Sequence, residues 1–372
     1  MSSTATRSRS AASRTIAAIR PWRPRLSFLL SLVLLGVGGA LWARHEAADR
    51  ALPRAYPPIR VDGAGATFSE PALRAWLKQW DPKRRIVLDY RGVGSPRGIQ
   101  LLSAAHVDFA ASDISLDAAK LSELADVGPG VTQVPLLVGA VAVSYELPGH
   151  DDLRIDAATL AAIMSGSVAW WDDPRLARTN PGVRLPHRPM HVVHRAEPSG
   201  TTWIFTQYLS STSRSWRRRV GASASPHWQA GIGARGNDGV AKAIAATVGS
   251  IGYLEVAHLR TTNLQSALLE SPRGEWVGPG RAAIRRATTS AATIAAGGSL
   301  LESDDRSAYP VVAISYALFS NDPSTQRDVV VDFLRYALGD GQQQLPALGY
   351  EPLPEQIRAA ALDRLRRVGN GG

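Results

Sequence analysis

Between Ile59 and Tyr145 the chain alternates β-rich runs with amphipathic stretches, and that alternation allows few folds. IRVDGAGATF is followed by Leu73, Trp76, Leu77 and Trp80, spaced so that all four share one helix face. RIVLDYRGVGS leads at Pro96 into a helix carrying Ile99, Leu101, Leu102 and Ala105, and VDFAASD then reads as a short buried strand. VTQVPLLVGAVAVSY is either a strand pair or one long strand. A β–α–β–α–β order predicts a parallel sheet with helices on its faces. The rhythm restarts near Ala157 with a helix, the strand HVVH and a helix over Thr201–Leu209 whose apolar face is Phe205, Tyr208 and Leu209. It recurs in KAIAATVGSIGYLE, and the strand YPVVAISYALF precedes a C-terminal helix through Val331–Leu338. Ala287–Gly298 reads as a surface helix or loop. The expectation is an α/β chain of two lobes with a ligand cleft between them.

Three β-rich runs end in a small hydroxyl residue that opens a helix: Thr67, Ser95, and Ser199 with Thr201. A helix N-terminus offers free N–H groups and a partial positive charge, which suits an oxyanion. Each hydroxyl is equally explained as a local N-cap, with Pro96 at the first helical position. Two other run ends carry Asp113 and Arg195. Arginine grips two oxygens of a phosphate-like group, or pairs on the surface with Glu197; Glu197 could also hold it in place. Asp113 either caps the helix in SLDAAKL or faces the anion. In the second case the anion must carry a proton, so hydrogen phosphate is accepted and sulfate refused.

The formal charge of +10 is a poor sign of nucleic acid, because residues 1–25 hold six arginines and no acid, leaving +4 for the rest. Leu26–Ala43 carries no charge. It is a signal peptide cut after Ala40, or an uncleaved membrane-anchor helix. Either way the arginines stay in the cytoplasm and the remainder is exported. Residues 44–58 form a Pro-rich linker, and the tail 366–372 reads as flexible. With no cysteine, thiol catalysis, disulfides, thiolate metal sites and lipid-modified cysteine are excluded.

Sharper motifs fail. GVGSPRG lacks the dinucleotide spacing and no phosphate-binding GxxxxGK loop occurs. Ser199 sits in EPSGT without a neighbouring base, so a phosphatase using it is unsupported and no enzyme is expected. His187, His191 and His194 are close in sequence, but strand alternation places His191 and His194 on opposite faces, so neither metal nor cofactor is expected. Arg217, Arg218 and Arg219 read as a solvated helix face.

The stretches DGAGATF, YRGVGS, VDFAASD, WWDDP, NPGVRLP, VVHRAEPSGTTWIFTQYL, GARGNDGVA, GSIGYLE, YPVV and LGYEPLP occur in this order over 59–356. In them the chain resembles the PstS family of periplasmic phosphate-binding proteins, type II binding proteins of ABC uptake systems. The resemblance implies two lobes of mixed, mainly parallel sheets: 59–138 with 309–365, and 139–308, hinged near Gly139 and Tyr309. It implies an inorganic phosphate ligand contacted by Thr67, Phe68, Ser95, Asp113, Arg195, Ser199, Gly200 and Thr201, Phe68 through its N–H. It also implies a permease partner in the inner membrane, a monomer, and no nucleic acid. Pro96 and Arg97 depart from the family's pattern, and Glu197 stands where the family has Asp. A tethered or secreted phosphate sensor or scavenger, or a receptor for another oxyanion, stays open as an alternative.

Overall fold

The chain positions its site with one long strand that two groups of strands share. The computed structural model describes residues 58–80, 86–124, 130–290, 293–294 and 301–369, all within one compact unit. Strand β1 (Ile59–Gly65) leads to helix α1 (Glu70–Gln79), β2 (Ile86–Gly92) to α2 (Ser95–Ser103), and β3 (Phe109–Ser112) follows. Next comes β4 (Val131–Glu146), the single long strand among the two readings of its sequence. Then β5 (His191–Arg195) leads into α3 (Gly200–Thr212), and β6 (Ile232–Ala234) into α4 (Gly236–Ala245). Strands β7 (Ser250–Glu255) and β8 (Val312–Ser320), then helices α5 (Thr325–Leu338) and α6 (Glu355–Gly369), complete the frame.

The sheet runs β2-β1-β3-β8-β4-β7-β5-β6, with Gln265–Ser266 also paired to β4. Its outer pairs are parallel, as the β–α–β rhythm requires. Its centre is antiparallel, because β8 arrives from far along the chain and runs against both β3 and β4, and β7 runs against β4. The sheet is therefore mixed, parallel in its outer pairs and antiparallel at its centre. Strand β4 pairs with β8 up to Ala140 and with β7 from Val141 onward. At that handover the Tyr309 hydroxyl donates to the Val141 carbonyl (3.0 Å), so Tyr309 lies beside the crossing that Gly139 adjoins.

Helices cover both faces of the centre, which is why β4 reads as an almost unbroken apolar run and is nearly all buried. Trp76 on α1 is fully buried and its indole N–H donates to the Gly341 carbonyl (2.8 Å). Phe109 of β3 stacks on Tyr90 of β2 and packs against Phe333 of α5. A smaller core of Val193, Val240, Ile244 and Leu254 seats α4 against β5 and β7. Truncating a buried aromatic such as Trp76 to alanine costs about 3–5 kcal/mol in cores of this kind.

Two boundaries differ from the sequence reading. Helix α6 runs to Gly369, so 366–369 of the expected flexible tail are helical. Ala287, expected near the surface, is buried on the helix Arg281–Ser290. The basic segment 1–25, the apolar run 26–43 and the linker up to residue 57 lie outside the described residues. Among the described residues, no helix is long and apolar enough to cross a membrane.

Candidate functional site

The Asp113 side of the site grows from the ends of β2 and β3. Helix α2 begins with Ser95 as its first residue, not its cap: the Gly94 carbonyl already accepts from the Gly98 N–H (3.0 Å). Gly94 takes φ +90, and a side chain there would lie 2.6 Å from the Pro198 carbonyl oxygen, so only glycine lets the two loops meet. Ser95 and Asp113 are both buried, the Ser95 hydroxyl accepting from the Asp113 N–H (3.1 Å) and donating to its Oδ2 (3.2 Å). Ser315 of β8 donates to Oδ1 (2.8 Å). Asp113 caps no helix, since Asp117 caps SLDAAKL's helix by accepting from the Lys120 N–H. Burial pushes the Asp113 carboxyl up to about 7, against the hydroxyl bonds from Ser315 and Ser95 and the attraction of Arg195.

The Arg195 side grows from β5 and the start of α3. Ser199 is the N-cap of α3, its hydroxyl accepting from the Thr202 N–H (3.3 Å). Arg195 is 3% exposed. Its Nε and Nη2 both donate to Glu197 Oε1, which also accepts from the Gly236 N–H (3.0 Å). Its remaining nitrogen, Nη1, donates to the Thr201 hydroxyl (3.3 Å). Glu197 thus holds one edge of the guanidinium and leaves the other turned toward Thr201, as a planar five-donor group permits. Behind it, the Tyr253 hydroxyl accepts from the Arg195 backbone N–H (3.3 Å) and bonds the Thr202 hydroxyl (2.7 Å).

The two sides meet at Gly200. A methyl group there would lie 2.3 Å from Ser95 Oγ and 2.5 Å from Asp113 Oδ2, so glycine is the only residue this approach accepts. Thr67 is joined to Thr201 by Asn237, whose Nδ2 donates to both hydroxyls (3.1 and 3.3 Å). Phe68 is fully buried, its carbonyl accepting from the Tyr350 hydroxyl (2.6 Å). Burial holds the nearby Glu255 carboxyl well above its ordinary range, with the Asp113 charge acting the same way. The fold therefore assembles Thr67, Phe68, Ser95, Asp113, Arg195, Ser199, Gly200 and Thr201 within one buried network. A groove of about 980 Å³ lined by Thr67, Pro96, Glu197, Asn237 and His258 opens beside it. The arrangement offers hydroxyl, guanidinium and helix-start donors, with the Asp113 carboxylate as an acceptor.

Some placements differ from the sequence reading. Thr67 does not open α1: Ser69 is the N-cap, Glu70 occupies the first turn, and Thr67 sits in the bend before them. Of the three helix starts expected at the site, those of α2 and α3 are there, whereas α1 starts two residues beyond Thr67 and carries Glu70 in its first turn. Arg97 is exposed and donates to Gln100 Oε1 (2.5 Å) on the groove's rim. His191 is exposed whereas His194 stacks on Trp228 (4.7 Å), and among the described residues no cluster could hold a metal. Arg217, Arg218 and Arg219 lie exposed on one short helix.

Sequence reasoning missed Asn237, Ser315, Glu255 and Tyr350. The signal for Ser315 was a serine in the apolar run VVAISYALF, since a buried hydroxyl must find a partner. Asn237 stood in plain sight within GARGNDGVA.

A PBP superfamily domain matches residues 49–340. The phosphate-binding protein PstS of Xylella fastidiosa is 32% identical over 308 residues, covering 80% of this chain and 83% of that protein. That of Pasteurella multocida is 32% identical over 305 residues, covering 80% and 87%. A high-affinity periplasmic phosphate-binding protein solved with phosphate shares the fold, with TM-score 0.66 at 22% identity, covering 81% of this chain and 92% of that one. The chain is thus a member of the PBP superfamily and belongs, within it, to the family of PstS phosphate-binding proteins.

Proposed function

We propose that the chain is the substrate-binding component of an ABC phosphate importer. It takes inorganic phosphate into the cleft between lobe I (59–138 with 309–365) and lobe II (139–308), and no bond of the ligand is made or broken. Thr67 and the N–H groups of Phe68 and Ser95 supply donors from lobe I. Arg195, Ser199, Gly200 and Thr201 supply them from lobe II, and Asp113 accepts the phosphate proton. Preorganised donors in a buried site hold an oxyanion tightly because they lose little order on binding. The observation that carries this reading is Asp113, an acceptor fixed by Ser95 and Ser315 among donors.

In this reading β4 and the segment at Tyr309 act as the hinge, because there the chain passes between the strands of the two lobes. The protein works as a periplasmic monomer, exported or tethered by residues 26–43, and hands phosphate to an inner-membrane permease. Calorimetric titration of the chain, stripped of bound ligand by partial unfolding and refolding, tests the binding step. Micromolar or tighter phosphate binding with no sulfate response near neutral pH is expected. Equal binding of both anions would remove the role given to Asp113, and binding of neither would remove the phosphate reading.

A further inference from the structure

We propose that Asn237 is a positioning residue that fixes the Thr67 and Thr201 hydroxyls as donors toward the bound anion. This rests on the phosphate reading of the same site. Asn237 is fully buried at the start of α4. Its Oδ1 accepts from the Glu255 backbone N–H (3.1 Å). A backbone N–H can only donate, so the amide cannot be flipped, and Nδ2 must point the other way. Nδ2 donates to Thr67 Oγ1 at 3.1 Å and to Thr201 Oγ1 at 3.3 Å.

A hydroxyl has one proton to give. Each threonine that accepts from Asn237 keeps that proton for another partner. Thr201 accepts a second time, from Arg195 Nη1 (3.3 Å), so donation is what it has left for a ligand. The opposite side is fixed in the opposite sense: Ser95 and Ser315 donate to Asp113, which leaves its carboxylate to accept. The directions of the Thr201 and Ser95 hydroxyls are then set by their protein partners. An anion fits only with its bare oxygens toward Thr67 and Thr201 and its protonated oxygen toward Asp113. Asn237 and Thr201 both belong to lobe II and Thr67 to lobe I, so the bond to Thr67 forms when the lobes close.

The test compares Asn237→Ala with Asn237→Asp by phosphate titration, with melting curves of the unliganded proteins to confirm folding. Aspartate keeps an acceptor for the Glu255 N–H but has no amide protons, so it draws the threonine protons away from the anion. Phosphate affinity should fall about 10- to 100-fold in Asn237→Ala and further in Asn237→Asp. A purely structural role lowers the melting temperature of Asn237→Ala and leaves its loss of affinity independent of Thr201. In a Thr201→Val background, where one of the two hydroxyls is gone, the loss caused by Asn237→Ala should shrink at least about threefold. Parental affinity in Asn237→Ala, a better-binding aspartate variant, or an unchanged loss in the valine background overturns the inference. A parent chain that binds no phosphate overturns both this inference and the reading beneath it.

Discussion

Asp113, one residue past β3, and Arg195, the last residue of β5, are both buried ionisable groups, yet the protein treats them oppositely. Arg195 is given a full countercharge: Glu197 takes two of its nitrogens, and the Gly236 N–H anchors Glu197 in turn. Asp113 is given hydroxyls, from Ser95 and Ser315. A guanidinium stays charged at any physiological pH, so pairing is the way to keep it in a low-dielectric place. A carboxyl held only by hydroxyls shifts upward instead, here to about 7. One wall of the site is thus electrostatically fixed, and the other can change its protonation near neutrality.

The largest break in this asymmetry comes from Asp113→Asn. An amide cannot accept from both hydroxyls and a phosphate proton, and it brings donors of its own. Discrimination between phosphate and sulfate, of order 10⁴–10⁵ for sites built around a required donor, should collapse toward parity in paired titrations. The parent carries a pH signature that the variant should lack. An ionised Asp113 is needed to accept the ligand's proton, so phosphate affinity should decline as pH falls below about 7. Stability of the unliganded chain moves the other way. The folded-state value is raised above an unfolded one of about 3.9, so the contribution is full below that value and is lost as pH rises through about 7. Melting temperatures from acid to neutral pH should show a smaller loss in Asp113→Asn than in the parent, the remainder coming from the raised Glu255 carboxyl.

A smaller effect is expected where the two walls touch. Gly200→Ala places a methyl 2.3 Å from Ser95 Oγ, so the walls must separate by an ångström or so. Displacement on that scale costs about 10²-fold when groups must converge on one ligand, and titration of Gly200→Ala should show it without loss of folding. Parental affinity there would mean that the two sides do not approach as closely in the ligand-bound form. The smallest effect belongs to Arg97→Ala. The side chain is exposed and turned to Gln100, so phosphate affinity should stay within about twofold at physiological salt. A large loss would bring Arg97 into the site and make it a third kind of charge, neither paired nor buried.

Residues read correctly from the sequence share a local cause. Ser199 caps α3 through a bond three residues away, and Glu197 meets Arg195 two residues away. Such contacts follow from strand and helix geometry alone, and so did the parallel outer strands. Thr67 shows where local reasoning stops, because the helix start it was expected to make was taken by Ser69 two residues later. The family resemblance supplied Phe68 and Gly200, but only the close approach of Ser95 and Asp113 explains why position 200 must be glycine.

The sequence by itself determined the strand-to-helix starts, the charges beside them and the family, because these are written in short-range pattern. The tertiary structure decided which groups those charges answer to. Ser315 reaches Asp113 across 202 residues, and Asn237 reaches Thr67 across 170. Nothing in a residue's own neighbourhood specifies such a partner. It is fixed only when β8 threads antiparallel between β3 and β4 and α4 packs beneath the site, bringing buried polar atoms to the acceptors and donors that burial obliges them to find.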